Sequence, residues 1–261
     1  MIKSLCLLLL LAATLSSARP CSKCGCRPER RREDEPLFPR SIVFNNTGYF
    51  SFTVPGHGTQ TLVVQLWGGG GGSPCQVNSS AIYTSGGGGG GGYAQATIQL
   101  AAGQVLTGFV GSGGFATIHD SIASNGGTSS VTLPSGTLLS ATGGHAALGS
   151  NTAGITAGGA GGSASLVNHG NVVSHSFFNG QHGSYGVTGS EPNVDGAGGG
   201  SPFGGAGGQV SIQNPLNGEA PANPGLAPGG GAGGCIWLGS SLDPSVPGVG
   251  GAGAVSISFL E

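Results

Sequence analysis

Between Ser41 and Glu261 the chain has no lysine and no arginine. All eight basic residues precede it, at Lys3, Arg19, Lys23, Arg27, Arg30, Arg31, Arg32 and Arg40. Backbone phosphates are held by Lys and Arg, so this composition excludes a nucleic-acid partner for the long segment. It also excludes a polybasic attachment to an anionic membrane. Acidic residues are nearly as scarce: Asp120, Glu191, Asp195, Glu219, Asp243 and Glu261, one each, against no Lys or Arg, give about −6. Amphipathic helical periodicity is missing as well, and no apolar run after the N-terminus is long enough to span a bilayer, which takes about 20 residues.

Glycine is abundant instead, with 57 in 261 residues. Each ordered glycine gives up more backbone entropy than any other residue, which pushes such a chain towards disorder. Yet 37% of residues are hydrophobic and only 7% charged, the reverse of a disordered composition. The chain is expected to fold.

Its first residues read as a secretory signal over 1–18. Lys3 is followed by the apolar stretch Leu5 to Ala13 and by the small residues Ser16, Ser17 and Ala18. Residues 19–40 hold Cys21, Cys24 and Cys26, a dense charge run and Arg32 and Arg40 as candidate processing sites. This preface is either a propeptide or a retained solvated tail. Its removal leaves two cysteines, Cys75 and Cys235, an even number suited to an oxidising compartment. They are expected to pair. Secretion to the extracellular space or cell surface follows from these signals.

Residues 41–261 are expected to form a single domain. Short strand-like stretches such as "TLVVQLW", "YAQATIQL", "NVVSHSFF" and "AVSISFL" alternate with glycine tracts. The fold class is all-β, plus a structure made of glycine. Gly68, Gly69, Gly70, Gly71 and Gly72 form one tract, and Gly86, Gly87, Gly88, Gly89, Gly90, Gly91 and Gly92 another. A phosphate-binding loop would need a following Lys or helix, and neither occurs. Flexible linkers would not recur between strands in this way. Extended threefold helices expose N–H and C=O sideways, and without side chains several can bond laterally. The tracts are therefore expected to be the core of a packed bundle of polyglycine II helices. Alanines and serines inside them are expected to face outward.

"FTVPGHGTQTLVVQLWGGGGG" (52–72), "GGGGGGGYAQATIQLAAGQVLTGFVGSGG" (86–114), "GGTSSVTL" (126–133) and "LLSATGG" (138–144) resemble the glycine-rich domains of phage tail-fibre and tail-tip adhesins and of exported microbial surface proteins. More distantly they are similar to the glycine-rich domain of anaplastic-lymphoma-kinase-type receptors. The resemblance implies a jelly-roll-like β-sandwich framework carrying the polyglycine bundle.

No catalytic set, cofactor site or metal site is expected. His169, His175 and His182 cluster in sequence without matching carboxylates, and Glu191 and Asp195 read as solvated loop acids or a calcium pair. Asn45 ("NNT") and Asn78 ("NSS") are N-glycosylation candidates. Trp67, Tyr93, Phe203 and Trp237 are expected to seal the bundle, or one of them to stack on a sugar. The function these features imply is a non-catalytic exported structural protein that self-assembles into a filament, sheet or surface layer, triggered by loss of residues 19–40. The alternative is an adhesin-like module presenting loops at 115–125, 163–195 and 212–228 to a glycan or protein receptor.

Overall fold

A computed structural model describes residues 40–75, 82–116, 123–150, 154–188, 194–209, 222–238 and 248–260. The signal expected over 1–18 and all of the preface expected over 19–40 except Arg40, including Arg32 and the three preface cysteines, lie outside the described residues, as do Asn78 and Glu191. The described chain holds strands and no helix.

Two five-stranded antiparallel sheets carry the hydrophobic core. The first has β1 (Ser41–Phe44), β15 (Ala254–Leu260), β3 (Thr59–Trp67), β5 (Tyr93–Ala101) and β12 (Val172–Phe178), in that spatial order. The second runs β11 (Ala164–Val167), β8 (Leu138–Ala141), β7 (Ser129–Thr132), β6 (Val105–Val110) and β2 (Gly48–Thr53). Strict alternation decides which face goes inward. In β3, Leu62, Val64 and Leu66 are buried; in β5, Ala94, Ala96, Ile98 and Leu100 are. They meet Phe52, Leu106, Val110, Val131, Leu139 and Ala141 of the second sheet in one cluster, so the sheets form a sandwich.

From one end of the sandwich the chain runs out along the glycine tracts and back. At the remote end are β4 (Ile82–Ser85), β9 (Gly149–Ser150), β10 (Gly154–Thr156), β13 (Gly186–Thr188) and β14 (Ile236–Leu238), in sheets of two or three strands. Of these short strands only β14, within the strand-like "CIWL", has a local pattern that announces it; β11, after its glycine tract, has none.

The tracts are ordered through backbone hydrogen bonds between them. Gly86, Gly89 and Gly92 donate to the carbonyls of Leu148, His145 and Thr142; Gly87 and Gly90 to Ser184 and Gln181; Gly88 and Gly91 to Ala232 and Gly229. Residues three apart thus address the same neighbour, stepping along it in threes. The carbonyls behave alike: those of Gly87 and Gly90 accept from Gly159 and Gly162, and those of Gly89 and Gly92 from Gly71 and Gly68. Gly199 N–H serves the Gly88 carbonyl, and the Ser73 and Ser201 hydroxyls serve Gly86 and Gly91. Every N–H and C=O from Gly86 to Gly92 is bonded, at 2.7–3.0 Å. The same period appears in the first tract, where Gly69 and Gly72 donate to Gly127 and Ser124. A buried peptide group without a partner costs about 1–3 kcal/mol, so this saturation is what lets glycine form an interior.

Packing explains why glycine is needed there. A Cβ on Gly89 would strike the Ala160 carbonyl, and one on Gly90 the Gly200 carbonyl. Both tracts, 68–72 and 86–92, are buried throughout. Residues with side chains sit where space opens: Ser112, Ala157 and Ala206 are exposed, Ala160, Ala197 and Ala252 partly so. Ala232 departs from the outward expectation. It is fully buried at the remote end, where its methyl group and that of Ala222 leave room at Gly248 for no side chain.

Candidate functional site

The four sheet edges are β1 and β12 in the first sheet and β11 and β2 in the second. Their sequences, SIVF, VVSHSFF, ASLV and GYFSFT, contain no Lys, Arg, Asp, Glu or Pro. Proteins usually guard such edges with charge or proline, because bare N–H and C=O rows template pairing with another chain. Arg40 directly precedes β1, is exposed, and its carbonyl accepts the Phe259 N–H at 3.1 Å. A cut after Arg40 would therefore release the preface at the very start of an edge strand.

At the far end of the bundle Cys75 and Cys235 form a disulfide, both fully buried, with Cα atoms 5.7 Å apart. It joins the outgoing first tract to the segment leading into β14, across a sequence separation of 160. Ser85 Oγ accepts the Cys235 N–H at 2.9 Å, tying β4 to the same point. Of the loops expected at 115–125 and 212–228, residues 117–122 and 210–221 lie outside the described residues. The expected loop over 163–195 is different in the structure. It contains β11, β12 and β13, and 222–228 is a returning tract rather than a loop.

The junction between sandwich and bundle carries an aromatic cluster. Trp67 ends β3, Tyr93 begins β5 and Phe178 ends β12, and register places all three in one row with Ala254. Tyr93 lies 5.2 Å from Trp67 and 5.1 Å from Phe203, ring centre to ring centre. Trp67 Nε1 donates to the Pro202 carbonyl at 3.0 Å, which folds the turn at residues 201–204 over the junction. Trp67 and Tyr93 seal it as expected. Phe203 does not: it is 73% exposed, with φ +51°, and Phe178 is 46% exposed. The Tyr93 hydroxyl donates to Gln95 Oε1 and accepts from Gln65 Nε2, each at 2.8 Å. Burial pushes the Tyr93 phenol above its ordinary value of 10.0, and the Gln65 hydrogen bond opposes that.

Among the other candidates, His169 and His175 stand 5.4 Å apart, with His175 stacked on Phe177. His145 serves the bundle through its carbonyl. No group of three or more His, Cys, Asp or Glu is placed to hold a metal ion among the described residues. Asp195 is buried beside Gly234 rather than set in a solvated loop. Asn45 is exposed in the β1–β2 turn, on the rim of a cleft shared with Trp67 and Phe203. Sequence reasoning passed over Ser73, Ser129 and Ser201, whose hydroxyls serve the carbonyls of Gly86, Trp67 and Gly91. Their signal was a serine flanking a tract.

The profile of a family described as a glycine-rich domain matches residues 45–260. No curated protein matches the chain.

Proposed function

The chain belongs to that glycine-rich domain family, and from its architecture we propose an exported, non-catalytic structural protein that assembles side by side with copies of itself. One observation carries this reading: all four sheet edges lack charge and proline. No charge or proline in those described edge strands opposes strand addition there. The disulfide suits an oxidising compartment, in line with the signal-like N-terminus. We read the threefold bonding of the tracts as a polyglycine II bundle, a stiff element projecting from the sandwich. Proteolytic removal of residues 19–40 is the proposed trigger, since Arg40 directly precedes β1.

Trypsin tests this cleanly, because it can cut only at or before Arg40. Filaments or sheets in negative-stain micrographs after digestion, and their loss in Val43→Lys and Ser174→Lys variants, are the expected results. Single particles before and after digestion would overturn the assembly reading.

A further inference from the structure

The outer face of the first sheet is built from uncharged side chains in register, most of them polar. Opposite the buried Leu62, Val64 and Leu66, the row Val43, Ser256, Gln65, Gln95 and Ser176 crosses all five strands. Next to it runs Ser41, Ser258, Val63, Thr97 and Ser174. No side chain in these rows is charged. Gln65 Nε2 donates to Gln95 Oε1 at 3.1 Å as well as to Tyr93, leaving the side-chain oxygen Gln65 Oε1 and the side-chain nitrogen Gln95 Nε2 without partners among the described residues. An acceptor and a donor thus stand side by side.

Above these rows rises the aromatic end of the face. Phe203 lines a cleft of about 370 Å³ with Trp67, Ser256 and Val43, and a second cleft of about 360 Å³, lined by Phe178, Gln181 and Pro202, lies on the other side of the 201–204 turn. Such volumes fall within the range of small-molecule clefts, roughly 300–1000 Å³. Leaving Phe203 exposed forgoes about 1.5–3 kcal/mol of burial, and its positive φ costs on the order of 1 kcal/mol more. Burial with its neighbours does not account for that conformation.

We infer that this face binds a neutral oligosaccharide, with a pyranose ring stacked on Phe203, to which Phe178 stands edge-on at 81°, and its hydroxyls bonded to the Gln65–Gln95 pair. A pyranose presents C–H groups on one face and vicinal hydroxyls at its rim. The first suit exposed aromatic rings, and the second suit an adjacent amide donor and acceptor. Charged polymers are disfavoured because the face offers no ion to pair with them. The inference concerns a sheet face rather than the edges, so it stands or falls separately from assembly.

The test uses the full chain, uncleaved and made in a host that adds no N-glycan, so that Asn45 at the cleft rim stays bare. Cellohexaose, chitohexaose and laminarihexaose are titrated against Trp67 fluorescence and by calorimetry. At least one is expected to bind with Kd below about 1 mM. Phe203→Ala should weaken it tenfold or more without lowering the denaturation midpoint, and Gln95→Ala should weaken it several-fold. Absence of binding by all three hexasaccharides at about 10 mM would overturn the inference, as would unchanged affinity in Phe203→Ala. Loss in that variant of a concentration-dependent self-association, with no sugar binding in either protein, would assign the face to a second copy and also overturn it.

Discussion

Gly90→Ala probes the bundle at its centre. The added methyl would meet the Gly200 carbonyl oxygen, and the Gly199 oxygen 2.8 Å away, both backbone atoms of a neighbouring tract. Reaching an ordinary contact distance requires that tract to move by about 1 Å, and it cannot move alone. Its Gly199 N–H bonds Gly88, and its Gly200 carbonyl accepts from Gln181, which itself accepts from Gly90. Overpacking costs about 1–3 kcal/mol, and two or three weakened backbone bonds add about 1 kcal/mol each. The expected loss is about 3–6 kcal/mol. For a domain of this size each kcal/mol shifts Tm by roughly 2–4 °C, so Tm should fall by on the order of 10 °C. Ala197→Gly, at a partly exposed position in the same neighbouring tract, is the comparison, with a loss of about 0.5–1 kcal/mol from unfolded-chain entropy. Urea denaturation of both variants measures the difference. A Gly90→Ala protein as stable as Ala197→Gly would refute the claim that the tracts pack against one another.

Three further perturbations follow from the same geometry. Replacing both Cys75 and Cys235 by serine opens a loop of 160 residues and should cost about 5 kcal/mol in the chain-entropy model, read as a lower urea midpoint. Ser201→Ala removes the hydroxyl that serves the buried Gly91 carbonyl, and thermal denaturation should register a loss of about 1–3 kcal/mol. Tyr93 has a folded pKa raised above 10.0, so its contribution is fully present below pH 10 and is lost as pH rises through the folded value. A urea series from pH 8 to 11.5 should show stability declining above pH 10, with a shallower decline in Tyr93→Phe.

Much of the sandwich was legible because its strands alternate. "TLVVQLW" and "AVSISFL" place every second residue inward, and they pair with each other in register. Cysteine parity pointed to the Cys75–Cys235 bond. The small strands at the remote end were not legible: β9, β10 and β13 have two or three residues each, held by partners far away in sequence. Phe203 shows the same limit. Its exposure depends on a hydrogen bond from Trp67 to Pro202, 135 residues away, which no local pattern records. Gln65 and Gln95 read as ordinary strand residues, and only the register of β3 and β5 makes them a pair.

Amide hydrogen exchange at Gly86 to Gly92, followed by NMR on the full chain, tests most directly that the glycine tracts are an ordered interior. Their bonded, buried N–H groups should exchange as slowly as those of Leu62, Val64 and Leu66 in β3. Exchange of the seven glycine amides at near-unprotected rates, while β3 stays protected, would contradict the account.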